Sequence, residues 1–419
     1  NEHAFEIAET GDYKIRVSQA EEGTGIDLNG KTIGRYTAKN GETQNIKTVK
    51  LSKGSHTIKT ESKAKVQIER QSTSVHSTKQ RVTYYTEEKV AAARENALTY
   101  DWAKTQTKNA VTTAEQYLAK GYDFLWESVT TQALPRGFAV NADKGCLICG
   151  TKINAYGNYP YLANHFDQPF KLECPNCKNQ FPSHDFNAYY KSGINERGEF
   201  DPQKADKSLL ASTTYPDKGA KWGVDDGFGY IDEKGNKYTF IAYYNHWHEW
   251  YQKGVVQLAL NAFRDAYLFT GEQKYATAGI ILLDRVADVY PAMDVSKFAW
   301  NDGFQNSHGM LMQGKVIGSI WENYMVKDYL KAYDAFFPAM DDYTAISYLS
   351  EKSKKYQLDN SKETAGAIRK NIEDHIVRLV YPSVLDCKLF GNNGMFQSSL
   401  GLAAVVLDSY AESKKWLDF

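Results

Sequence analysis

Cysteine and proline are both scarce in this chain of 419 residues, which has five of one and ten of the other. Five cysteines over such a length exclude a disulfide-framed small domain. Charge of one sign is also missing: 50 basic and 51 acidic residues leave a net charge of -1. That balance provides no global pull toward nucleic acid or an anionic membrane, and neither is expected as a partner. No apolar run is long enough to span a bilayer. No leader peptide is visible, and a chain opening at Asn1 has the form of a mature secreted protein.

Aromatic residues are plentiful: 29 Tyr, 19 Phe and 8 Trp. They suit packing between helices, or a cleft that stacks on sugar rings. Hydrophobic residues make up 42% and charged residues 24%, a composition of the soluble globular class. The length predicts two or three domains.

Residues 1–82 read as strands forming a small β-sandwich. Tyr13-Lys14-Ile15-Arg16-Val17 and Val66-Gln67-Ile68-Glu69 alternate with period two, Asn29-Gly30 is a hairpin signal, and Lys53-Gly54 marks a second turn. The domain serves as a spacer or as a sugar-binding module. At Thr86 an N-cap and an acidic first turn open a helical region. Helices are predicted over 87–105, 109–127, 250–270, 273–290, 308–335, 361–378 and 396–415, in antiparallel pairs. The fold class is therefore multidomain α+β. The irregular stretch 135–240 is an insert in the helical domain 83–419.

That insert carries Cys146-Leu147-Ile148-Cys149 and Cys174-Pro175-Asn176-Cys177. Two short hooks of this kind predict a closed, four-thiolate structural zinc site, and a stretch with little core of its own benefits from such a staple. His165 and His184 are alternative ligands, or line a cleft. Cys387 is expected in the core.

The stretch Cys146–Pro291 resembles the heparinase II/III-like polysaccharide lyases. The matching pieces are Phe181-Pro182-Ser183, Tyr189-Tyr190-Lys191-Ser192-Gly193, Trp222-Gly223-Val224-Asp225-Asp226-Gly227, Ile241-Ala242-Tyr243-Tyr244, Tyr275-Ala276 and the run from Leu282 to Pro291. Gly394-Met395-Phe396-Gln397 resembles a later helix start in that family, so the likeness extends over about 90–419. It implies an (α/α) toroid over 83–419, followed in the family by a β domain that is missing here, so a continuation of the same protein is expected. It implies β-elimination on a uronic-acid polysaccharide: a glycosaminoglycan such as heparin, heparan sulfate or hyaluronan, or alginate. A secreted or periplasmic location follows from that substrate. Structural zinc is the one cofactor expected, an acidic polysaccharide is the partner, and the oligomeric state is open.

Elimination needs a group that neutralises the uronate carboxylate, a base for the C5 proton and an acid for the departing O4. Asn306-Ser307-His308-Gly309 is one candidate element, with Asn306 on the carboxylate and His308 as base or relay. Tyr244-Asn245-His246-Trp247-His248-Glu249-Trp250 is the densest polar-aromatic run. On a helix, His246 and Glu249 would share a face, as would Asn245 with His248 and Glu249. His246 is a second catalytic candidate; Tyr244, Asn245, His248, Glu249 and Trp250 are candidates for substrate binding. The run is not HExxH, so protease zinc chemistry has no support. By family analogy a catalytic tyrosine follows the Asn–His element, with Tyr356 nearest and Tyr348 and Tyr343 behind. Arg136 is a partner for a uronate or sulfate, or caps a helix; Asn393 and Gln397 are sugar hydrogen-bonders, or Asn393 makes a turn. Lys191, Lys218 and Lys221 suit an anion-friendly groove.

Two other classes compete. An inverting hydrolase needs two carboxylic acids across a cleft, for which Glu249, Asp225 and Asp226 are available. A non-catalytic glycan-binding protein needs only the β domain and the staple.

Overall fold

The computed structural model describes residues 1–8, 11–38, 41–70, 77–298, 304 and 313–419. Strands and helices both contribute, giving a mixed α+β chain. It divides into two units, Asn1–Val75 and His76–Phe419.

The first unit holds seven strands: β1 (Glu2–Ile7), β2 (Gly11–Ser18), β3 (Gly25–Leu28), β4 (Lys31–Arg35), β5 (Gln44–Leu51), β6 (Gly54–Thr60) and β7 (Lys65–Arg70). They form two antiparallel sheets, ordered β1-β6-β3-β4 and β5-β2-β7. Ile15 and Val17 from one sheet and Ile26 and Ile58 from the other are wholly buried in one shared core, so the unit is a sandwich. Asn29 and Gly30, both with positive φ, close the β3–β4 hairpin, a type I′ requirement. The Lys53-Gly54 turn instead carries the chain from one sheet to the other.

The second unit begins earlier than residue 82 because Asp334 and Glu373 tie the incoming strap down. Asp334 accepts from Lys79 Nζ and from the backbone of Thr83, Tyr84 and Tyr85; Glu373 accepts from Thr78 and Lys79. The predicted helix 87–105 breaks at Tyr100, whose extended backbone separates α1 (Glu87–Thr99) from α2 (Asp101–Leu118). α3 (Gly121–Glu127) follows. The insert is irregular, with β8 (Leu162–Ala163), β9 (Leu172–Glu173), β10 (Gln180–Phe181), α4 (Phe186–Ser192), β11 (Tyr230–Ile231) and β12 (Lys237–Tyr238).

The predicted helix 250–270 is α6 (Val255–Thr270); α5 (Phe240–Tyr244) and a π turn (Asn245–Trp250) come before it, separated from it by a break. α7 (Gln273–Val289) is buried on nearly every face, as a central helix must be. α8 (Ser319–Phe336) crosses it so closely that a Cβ on Gly279 would overlap the Phe336 ring. α8 begins later than the predicted 308. Then come α9 (Tyr343–Lys355), α10 (Ala365–Ile372), a second π turn (Glu373–Val377) and α11 (Val380–Leu385). α12 (Met395–Leu407) and α13 (Tyr410–Leu417) replace the single predicted helix 396–415, because Asp408 turns left-handed between them. Cys387 is exposed rather than in the core. No helix among the described residues is long and apolar enough to cross a membrane.

Candidate functional site

Cys146, Cys149, Cys174 and Cys177 converge, with their sulfurs all within 4.8 Å of one another. Sγ of Cys146 lies 3.8 Å from that of Cys177, and Sγ of Cys149 lies 3.6 Å from that of Cys174. All four are free thiols. The two hooks have one backbone form. The residue after each second cysteine, Gly150 or Lys178, has φ near +60°. Its N–H donates to the carbonyl of the first cysteine, at 2.9 Å in both hooks. This cluster can hold a metal ion. His165 and His184 are not part of it; His165 contacts Tyr117 instead, at 3.2 Å.

The polar-aromatic run forms the π turn, closed by the Tyr251 N–H donating to His246 O at 2.9 Å. The wider turn overturns the expected helical faces, since residues three apart no longer align. All six side chains are buried, and they diverge. Asn245 turns to the 130s loop: its Oδ1 accepts from Thr130 Oγ1 at 2.5 Å and its Nδ2 donates to Pro135 O at 3.1 Å. Trp250 Nε1 donates to the same threonine at 2.7 Å. These two hold the turn in place rather than offering their full hydrogen-bonding capacity to a ligand.

His246 faces the other way, toward Trp321, Trp247 and Tyr251. Neither ring nitrogen has a partner. Burial, then the charge of Arg136, pushes its pKa down to about 3, so the imidazole is neutral near pH 7. Arg136 is 1% exposed and caps no helix. Its Nε donates to Val316 O and its Nη1 to Leu134 O, both at 2.6 Å; Nη2 is unpartnered. Burial brings its pKa down to about 10, against the opposing charges of Glu322 and Asp294. Arg136 acts on His246 through its charge, and Glu322 and Asp294 act in turn on Arg136.

His248 is likewise held neutral by burial, down to about 3. Glu249 points to a different place. It lines a cavity of about 440 Å³ together with Trp126, His165, Tyr190, Lys191, Arg285 and Tyr356. Burial raises its carboxyl well above the usual range, and its Oε2 has no partner. Tyr244 is fully buried behind the turn, and burial raises its phenol as well. Tyr356 stacks on Trp126, with centroids 4.8 Å apart at 11°. Tyr348 donates to Asp123, and Tyr343 is exposed.

Several expected residues stand elsewhere. Asn393 and Gln397 are exposed at the start of α12, where Gln397 Oε1 accepts from the Gly394 N–H. Asp225 accepts from the N–H groups of Gly227, Gly229 and Ile241, a structural role that removes it as a cleft acid. Asp226 is bonded to the Phe228 N–H nearby. Lys218 covers the Trp222 ring, Lys221 is exposed, and Lys191 pairs with Glu127 at 3.4 Å. Asn306 and His308 lie outside the described residues. Thr130, Trp321 and Arg285 were missed; each matters only through partners distant in sequence, and nothing local marks them.

No protein-family model, curated protein or solved structure matches this chain.

Proposed function

We propose that this chain is a polysaccharide lyase of the heparinase II/III-like type, secreted or periplasmic, with its helices arranged as an (α/α) toroid. The pairing of His246 with Arg136 carries the reading. Arg136 Nη2 receives the uronate carboxylate, and its neutralisation acidifies C5–H. Neutral His246 takes that proton. The C4–O4 bond breaks as the C4–C5 double bond forms, and the imidazolium returns its proton to the departing O4. Trp247 and Trp321 supply apolar wall for a sugar ring.

The four cysteines suit zinc. Tetrahedral Zn–S bonds of about 2.3 Å require sulfur separations of about 3.8 Å, close to the 3.8 and 3.6 Å of the Cys146–Cys177 and Cys149–Cys174 pairs. Four thiolates leave no open position, so the ion's part is to staple the insert.

The test is ultraviolet absorbance of unsaturated uronate ends on a panel of glycosaminoglycans and alginate. Wild type should turn over at least one polymer, and His246→Ala and Arg136→Ala should lose that turnover by about 100-fold or more. New reducing ends without absorbance mean hydrolysis. Binding without new ends means a glycan-binding protein. Asn306→Ala and His308→Ala in the same assay decide whether that element takes part.

A further inference from the structure

The 440 Å³ cavity around Glu249 is unused by this mechanism. It lies toward the small end of ligand sites, which run from about 300 to 1,000 Å³, so it suits one compact molecule rather than a polymer strand. Its wall is aromatic, with Phe124, Trp126, Phe170 and Tyr356.

Three residues in the lining bury a polar atom without a partner: Trp126 Nε1, Arg285 Nε and Glu249 Oε2. All three residues are at most 4% exposed. Two of these atoms are donors. Arg285 also packs its guanidinium 3.9 Å from the Trp126 ring centre and donates to Gly198 O at 2.6 Å. Among the described residues it forms no ion pair. Asp288, the acid that acts most on it, is bonded to Lys362 and Asn371. At the rim, Lys191 and Glu127 offset each other. Burial disfavours the charged form of Glu249. The cavity therefore offers two buried donors, one of them on a guanidinium outside any ion pair among the described residues, although Asp288 and Glu199 act on its charge; Glu127, an anion of the lining, is engaged by Lys191.

The geometry points to a binding site for a small carboxylic acid of sugar size, its carboxylate on Arg285 and Trp126 Nε1, its ring on the aromatic wall and a hydroxyl on Glu249. This site is independent of the lyase reading and stands apart from His246. A free sugar acid, rather than the polymer, is its ligand class.

Calorimetric titration of the whole chain with sodium glucuronate, and with glucose as the neutral probe, tests it. Saturable glucuronate binding is expected, with glucose at least 10-fold weaker. Arg285→Lys and Glu249→Leu should each weaken glucuronate at least 10-fold, Glu249→Gln by no more than about threefold, and His246→Ala not at all. Lys191→Glu at the exposed rim, which does not threaten folding, should weaken it several-fold and less so in high salt. Equal binding of glucose, an absence of binding, or loss in His246→Ala with retention in the cavity variants overturns the proposal.

Discussion

Thr130 Oγ1 donates to Asn245 Oδ1 at 2.5 Å, and Thr130 Oγ1 in turn accepts from Trp250 Nε1 at 2.7 Å. One hydroxyl thus fixes both ends of the π turn from a loop more than a hundred residues away. Thr130→Val keeps the shape and strands two buried polar groups. It should cost about 1–3 kcal/mol in denaturant unfolding. If the turn serves catalysis, turnover should fall further than stability accounts for; an unchanged unfolding midpoint would show the bond to be dispensable.

Lys362 is wholly buried between Asp284 and Asp288 on α7, and Asn371 donates to both acids. Replacing the lysine with methionine leaves both acids without the ammonium that pairs with them. A loss of about 3–5 kcal/mol is expected, read from chemical denaturation. A Lys362→Met chain as stable as wild type would mean that water reaches the acids.

Gly279 sits where α7 meets the Phe336 ring. Gly279→Ala improves helix propensity by about 1 kcal/mol but overpacks the crossing. The net outcome should be destabilising, by about 1–3 kcal/mol. Adding Phe336→Leu should recover part of it, which a double-mutant cycle measures directly.

His184 is wholly buried with neither ring nitrogen partnered. Burial and then Lys171 push its pKa down to about 4, from an ordinary 6.5. The unfolded chain therefore binds a proton that the folded chain refuses between pH 6.5 and about 4. Stability from this group is complete above 6.5 and falls as the pH drops through that window, by about 1.4 kcal/mol per unit at most. His184→Leu should remove this slope. Unfolding measured at pH 7, 6, 5 and 4 should show wild type losing ground to the variant; parallel curves would refute the assignment.

Removal of metal tests the cysteine cluster. Purified protein should contain one zinc per chain by elemental analysis, and Cys174→Ser should lower that content. A strong chelator should reduce the melting temperature and open the insert to protease while the first unit stays resistant. A metal-free chain with the same melting temperature and protease pattern would leave the cluster without a structural role.

Local rules made part of this molecule legible from its residues. The CxxC hooks needed only short spacing, because each is a tight turn whose hydrogen bonds close within a few residues. Asn29-Gly30 specified a hairpin because both positions need positive φ. The change from strands to helices near Thr86 followed from the period of the apolar residues. Helix ends were less legible: Tyr100 and Asp408 break helices through backbone conformations that composition does not signal.

The site depended on the tertiary structure. The run from Tyr244 to Trp250 was visible as chemistry, but its faces were assigned for a helix of ordinary pitch. Thr130 and Pro135 hold a wider turn, and that turn separates His246 from Glu249. Arg136 reaches its place through carbonyls at Leu134 and Val316, and Tyr356 joins the Glu249 cavity by stacking on Trp126. Periodicity reports which way a side chain points within its own element. Which other element it meets is set by long-range packing, and here that packing left one nitrogen of each of two buried guanidiniums, and both ring nitrogens of His246, without a hydrogen-bond partner.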